Sequence, residues 1–340
     1  MTSALFFACN EHDKAFLQQH PIEGVDYHFV DFDINSPQLR AIPNLPDYTI
    51  ISVFAHAQSV DNSQFDMFPN LKMIVTRSTG YNHIDLDYCK QRNITVCNVP
   101  NYGATTVAEF TIGVMLGLMR RIPLAKSQMK TNSVYLPNYV GDNISGKTVG
   151  VIGTGAIGRG VIRILQAFDA KIIAYDPYPS QALLDQGVYY VKELEELYEK
   201  SDIITLHCPA TDRNFHLLDA LAFSRMKRGV YIINTARGSL IDTEALYAAL
   251  KSGIVGGAAL DVLENEDVIT EREFSTDMEK KPTDFLIDSV INFKMLQLNN
   301  TLITPHIAFN SIDAVQQILT TTVNNIQGFL AGKPQNVVSK

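Results

Sequence analysis

The stretch Lys147-Thr-Val-Gly-Val-Ile-Gly153-Thr-Gly155-Ala-Ile-Gly158-Arg-Gly160 decides the fold. A β-branched, apolar run stops at Gly153, and a helical pattern, Val161-Ile-Arg-Ile-Leu-Gln-Ala-Phe168, begins just past Gly160. Taken alone, G-x-G-x-x-G is a weak signal. Here a second strand pattern, Lys171 to Tyr175, follows the helix and ends in Asp176, eighteen positions past Gly158. That completes a βαβ unit with an acidic residue at the spacing of a dinucleotide site. Gly153 allows the tight turn, Gly155 lets the backbone approach a pyrophosphate, and Gly158 lets helix and strand pack closely. With Ala156 and Ile157, the helix start presents free N–H groups and a positive dipole end to the phosphates. Asp176 accepts hydrogen bonds from ribose hydroxyls and repels a 2′-phosphate, and Pro177-Tyr178 bring no arginine to reverse that. The expected cofactor is NAD rather than NADP.

Outward from this unit, strand and helix patterns alternate along most of the chain, which places it in the α/β class with parallel sheets. One series of strand candidates precedes it: Ala4–Phe7, Thr49–Phe54, Lys72–Thr76 and Ile94–Cys97. A second series starts at Lys147 and continues through Asp202–His207, Val230–Asn234, Gly257–Leu260 and Thr301–Thr304. Two sheets, hence two domains, are the economical reading of 340 residues. Between the series lie a helix of roughly Thr105 to Arg120 and a polar stretch, Ile122 to Gly146. The last thirty residues, Ser311 to Lys340, read as one amphipathic helix (Ala314, Ile318, Val323, Ile326, Phe329) stopped by Gly332 and Pro334 and docked onto an earlier element.

Composition narrows the function. With 28 Lys and Arg against 36 Asp and Glu, the net charge of −8 repels nucleic acid and anionic membrane surfaces. The apolar run Phe110 to Met119 is half the length a membrane helix needs. The N-terminus lacks the basic region of a signal peptide, so a cytoplasmic protein is expected. Four scattered cysteines, without C-x-x-C or paired histidines, argue for reduced thiols and against a metal site.

Three later segments carry the chemistry: Asn234-Thr-Ala-Arg237-Gly238, Leu260-Asp261-Val-Leu-Glu-Asn-Glu266 and Thr304-Pro305-His306-Ile-Ala-Phe309. In this order they resemble the signatures of the D-isomer-specific 2-hydroxyacid dehydrogenases. Arg77-Ser-Thr-Gly-Tyr-Asn-His-Ile-Asp85 and Asn98-Val-Pro-Asn-Tyr102 resemble that family's substrate loop and domain crossover, so the similarity spans nearly the whole chain. It implies a flavodoxin-like substrate domain (residues 1–101 with 308–340), a Rossmann NAD domain (102–307), both doubly wound parallel sheets, and a cleft between them that closes on a small 2-oxo or 2-hydroxy acid.

By the same resemblance Arg237 binds the substrate, His306 is the proton donor and acceptor, and Glu266 is its acidic partner. The assignments make chemical sense. Reducing a 2-oxo acid needs an acid near neutral pKa beside the carbonyl oxygen, which is the province of histidine. A carboxylate within hydrogen-bonding reach favours its charged form. Arginine offers a carboxylate a planar fork that lysine lacks. The backbone of Ser78, Thr79 and Gly80 is placed as an anion nest for the substrate carboxylate. Cys208, Pro209, Thr235, Ala236 and Asp261 line the cofactor, with Asp261 toward its nicotinamide end and Cys208 as a wall rather than a nucleophile. His56 and His83 read as structural.

Tyr102 and Phe309, with Phe54 as a third, match positions where the D-lactate dehydrogenase branch carries aromatic side chains beside a short substrate. The long interval from Glu266 to His306, with Phe274, Asp288, Leu296 and Asn300, resembles the insertion of that branch. Alternatives are hydroxypyruvate or a larger 2-oxo acid, a formate or phosphoglycerate dehydrogenase, and a non-catalytic NAD-sensing scaffold of the corepressor type. The family also implies a homodimer, with the Ala108–Met119 helix as a candidate interface.

Overall fold

The computed structural model describes residues 2–54, 60–100, 102–129, 135–265 and 283–339. Contacts divide the chain into two compact units, Met1–Gly103 with Asn310–Lys340, and Ala104–Phe309.

Unit 1 is built on β1 (Thr2–Phe6), β2 (Val25–Phe29), β3 (Tyr48–Val53), β4 (Met73–Thr76) and β5 (Thr95–Cys97). All pair in parallel in the order β2-β1-β3-β4-β5, the flavodoxin-like arrangement. Because side chains alternate along each strand, the sheet feeds two cores. Leu5, Ile51, Ile74 and Val96 pack on one face, and Ala4, Phe6, Ile50, Met73 and Val75 on the other. The helix Ile312–Leu330 covers the second face with Leu319, Val323 and Ile326.

Two features depart from expectation. β2 escapes a search for apolar runs because its pattern is that of a half-covered edge: Asp26 and His28 are exposed between half-buried Val25, Tyr27 and Phe29. The last helix ends at Leu330, just ahead of the Gly332 and Pro334 that stop it, and the second departure lies beyond it. Its tail turns back, so that Val337 bridges Cys97 antiparallel and the Val338 amide donates to Val96 O (2.9 Å).

Unit 2 holds β6 (Thr148–Ile152), β7 (Lys171–Tyr175), β8 (Tyr189–Tyr190), β9 (Ile203–Leu206), β10 (Val230–Asn234), β11 (Val255–Leu260) and β12 (Thr301–Ile303). Their order is β12-β11-β10-β9-β6-β7-β8, again all parallel. This is a Rossmann sheet extended by β12, and its order reverses between β6 and β9, where open α/β sheets bind ligands. The helix Ala104–Met119 crosses the helix Ala156–Ala167 closely. A Cβ at Gly160 would stand 2.9 Å from the Ala108 Cβ.

The expected interface helix buries Ala108, Ile112, Val114, Met115, Leu118 and Met119 in its own unit's core. Its neighbour, the helix Ile122–Met129, buries none of its residues, and Ile122, Met129, Tyr135, Leu136 and Val140 stand exposed. Among the described residues no helix is long and apolar enough to cross a membrane, and no cluster of three His, Cys, Asp or Glu is placed to hold a metal. The four cysteines are free thiols.

Candidate active site

The glycine loop joins β6 to the helix Ala156–Ala167. Gly153 takes φ +94°, and a Cβ there would meet the backbone of His207 and Cys208 at 2.6 and 2.7 Å. At Gly158 a Cβ would fall 2.1 Å from Gly153 O. Gly155 differs from both, because a Cβ there would meet nothing within 4 Å. Its lack of a side chain therefore keeps open the space above the helix start. Gly155 is the N-cap and supplies no side-chain cap, so the amides of Ala156 and Ile157 face that space, as an entering pyrophosphate requires. These residues fit a dinucleotide.

Asp176 lies just past β7. Its Oδ2 accepts from the Thr154 amide (2.7 Å) and hydroxyl (3.0 Å), and its Oδ1 accepts from the Tyr178 amide (2.8 Å). Pro177-Tyr178 bring no arginine beside it, as the sequence reading has it. Arg159, one helical turn into the nucleotide helix, donates to Thr154 O (3.1 Å), on the residue that holds Asp176.

At the other edge of the switch point, His207 lies just past β9 with its amide on Ile152 O (2.7 Å) and its Nε2 2.8 Å from the Thr205 hydroxyl. Burial lowers its pKa to about 3, so it is neutral. Burial likewise raises the Cys208 thiol to about 11, which makes it a poor nucleophile. Thr235, past β10, is tied through its hydroxyl to that of Thr111 (2.9 Å), and Ala236 is buried beside it. Pro209 is an exposed residue of the loop after β9.

Arg237, Asp261 and His306 follow the C-terminal ends of three neighbouring strands, β10, β11 and β12. The Arg237 turn is fixed by Asn234, which donates to Arg237 O (2.9 Å) and accepts from the Ala236 amide (3.0 Å). The guanidinium is exposed, with one nitrogen on Ala236 O (2.6 Å). Gly238 brings the next loop against this turn, since a Cβ would stand 2.1 Å from Leu263 O and 2.5 Å from the Glu264 amide. Glu266 lies two residues beyond, outside the described residues, as do His56, Asn101 and Phe274.

Asp261 has a part that its expected cofactor contact does not foresee. Its carboxylate is 1% exposed and accepts from the Thr304 hydroxyl (2.6 Å), the Ile307 amide (2.9 Å) and the Ala308 amide (2.8 Å), while its carbonyl accepts from the His306 amide (2.9 Å). One side chain thus braces the loop that carries His306, whose backbone sits at φ +52°. Burial raises the Asp261 pKa against the pull of these hydrogen bonds. A second anchor holds the preceding loop. His216 Nε2 lies 2.9 and 3.0 Å from the two Glu264 oxygens, Thr243 donates to Glu264 (3.3 Å), and burial raises the Glu264 pKa.

In unit 1, Ser78, Thr79 and Gly80 follow β4. Their carbonyls accept from the Val99 amide (2.9 Å), the Asn98 side chain (2.8 Å) and the Ser78 hydroxyl (2.6 Å), respectively. With every carbonyl occupied, and no described residue accepting from the three amides, the turn offers a row of N–H donors suited to an anion. His83 braces this turn through Thr76 (3.1 Å), in keeping with a structural part. Arg77 is buried, donating to the carbonyls of Phe7 and Ala8, with its guanidinium 5.4 Å from the centre of the Phe54 ring. Tyr102 and Phe309 are half-buried. Thr154, Arg159 and His207 carry no sequence signal because each occupies a variable position of its motif or the first place past a strand. Only the folded chain reveals their partners.

A Rossmann sheet with this glycine loop, and with a basic fork and an imidazole carried on adjacent strand ends, defines the class of dinucleotide-dependent dehydrogenases. Residues 112–308 match the family model of the D-isomer specific 2-hydroxyacid dehydrogenase NAD binding domain. The chain is 39% identical over 319 residues to a 2-hydroxyacid dehydrogenase homolog of Haemophilus influenzae, covering 92% of each, and 36% identical over 333 residues to the D-lactate dehydrogenase of Escherichia coli, covering 96% of each. It superposes with a TM-score of 0.84 and 33% identity, over 99% of both chains, on the crystal structure of the Aquifex aeolicus D-lactate dehydrogenase complexed with NAD and lactic acid. The chain belongs to the D-isomer-specific 2-hydroxyacid dehydrogenases, and it is an NAD-dependent oxidoreductase.

Proposed function

We propose that the protein interconverts pyruvate and D-lactate, with residues 104–309 holding the cofactor and the acid–base group and the substrate carboxylate received by the Ser78–Gly80 amides. The observation that carries this reading is the bracing of the His306 loop by Asp261, one strand away from the Arg237 turn in the sheet that bears the glycine loop.

Gly153, Gly155, Ala156, Ile157 and Gly158 hold the pyrophosphate, Asp176 the adenosine ribose, and Cys208, Pro209, Thr235 and Ala236 line the remainder. When bound, NADH supplies the hydride. His306 delivers the proton to the carbonyl oxygen and takes it back in the reverse direction, with Glu266 stabilising its charged form. Arg237 forks onto the substrate carboxylate and the oxygen on which negative charge develops. Tyr102, Phe309 and Phe54 limit the room for the substrate's side chain, which favours a methyl group. The exposed apolar residues from Ile122 to Val140 suit burial against a second copy, and sedimentation at twice the chain mass is expected. Free thiols suit the reducing cytoplasm.

The test is NADH consumption with 2-oxo acids of increasing side-chain size, run on the wild type and on His306→Gln. Pyruvate should give the highest kcat/KM, and His306→Gln should lose about 10²–10⁴-fold in rate while still binding NADH. A clear preference for branched or aromatic acids would overturn the substrate, and full activity in the variant would overturn the role of His306. Turnover of none of them would point to the scaffold alternative.

A further inference from the structure

Behind Asp176 stands a chain of hydroxyls. The Ser180 amide donates to the Tyr190 oxygen (3.1 Å), Tyr190 O–H donates to the Thr154 hydroxyl (3.0 Å), and Thr154 O–H donates to Asp176 Oδ2 (3.0 Å). Each hydroxyl has one hydrogen, so the direction of the chain is set by its ends: an amide that only donates and a carboxylate that only accepts. Such aligned bonds reinforce one another. The Thr154 amide adds a second donor to the same oxygen, and the Tyr178 amide takes the other oxygen. Three of the roughly four acceptor positions of the carboxylate are thereby occupied, and its rotamer is fixed.

Arg159 grips the carbonyl of Thr154, so one residue links the group that repels a 2′-phosphate to a cation able to bind one. From this geometry we infer that Thr154 and Tyr190 are positioning residues for cofactor choice. They lock Asp176 across the ribose site, and when the lock is released Arg159 admits the 2′-phosphate.

The inference rests on the assignment of NAD as cofactor, and it is tested on binding rather than turnover. Purified full-length protein is titrated with NADH and, separately, NADPH, following the fluorescence of the bound nicotinamide. Wild type should bind NADH far more tightly. A wild type that binds both equally would refute the NAD preference itself, independently of the lock. Tyr190→Phe, which deletes one hydroxyl on an edge strand, should lower the NADPH Kd by roughly five- to tenfold. Thr154→Val should lower it further, and Thr154→Ser, which keeps the hydroxyl, should behave as wild type. Adding Arg159→Gln to Tyr190→Phe should abolish the gain. The inference is overturned if NADPH binds no better in Tyr190→Phe and Thr154→Val, if NADH alone weakens, or if the gain survives Arg159→Gln. Far-ultraviolet circular dichroism of each variant separates these outcomes from loss of fold.

Discussion

At the scale of single residues, the site was legible where chemistry is written in residue type and illegible where it depends on who the neighbour is. The glycines, Asp176, Arg237 and His306 declare themselves because no other side chains serve those ends at those positions. Asp261 was named from its motif as a cofactor contact, but its four bonds to the 304–308 loop exist only once β11 and β12 lie side by side. His207 carries no motif, yet it makes a prediction. An unfolded histidine titrates near pH 6.5, whereas desolvation of half-buried His207 in the fold pushes its value down to about 3. Between those values the unfolded chain binds a proton that the folded one refuses, so stability falls as pH is lowered through this window. Taking the protein from pH 7 to pH 5 should cost about 1–2 kcal/mol through this group alone. Urea unfolding at the two pH values, compared with His207→Gln, should show a decline smaller by that amount in the variant. Equal declines would mean that His207 is hydrated in the fold.

At the scale of elements, long periodic segments were readable and short edge pieces were not. β2 and β8 were missed because an edge strand half covered by solvent carries charge or stops after two residues. The C-terminal helix was found from its apolar stripe, but its buried Asn325 gives no apolar signal. That amide donates to Asn98 O (2.9 Å) and accepts from Asn336 (2.8 Å), tying the returning tail to the exit of β5. The stripe itself holds unit 1 together. Ile326 is fully buried against the sheet, so Ile326→Ala removes three carbons and leaves a cavity, at a cost of about 2–5 kcal/mol. The urea midpoint of unit 1 should fall by roughly 1 M or more, while NADH binding, which belongs to the other unit, should keep its affinity. An unchanged midpoint would show that the helix is dispensable to the sheet it covers.

At the scale of the molecule, the two series of strand patterns foretold two sheets because each series restarts with its own apolar run. The chain's return to unit 1 after Phe309 came from family resemblance and could not come from periodicity. Each unit carries its own cores: those of unit 2 draw on residues 108 to 303, and those of unit 1 on residues before 98 and after 314. No described core residue is shared. Since the larger unit is one continuous stretch of chain, excised residues 104–309 should fold, unfold cooperatively and bind NADH with near-native affinity. The same fragment should turn over no pyruvate, because the amides of Ser78, Thr79 and Gly80 are not part of it. A folded fragment that fails to bind NADH would place essential cofactor contacts in unit 1. One that reduces pyruvate would remove the substrate carboxylate from the Ser78–Gly80 turn and assign it to Arg237 alone.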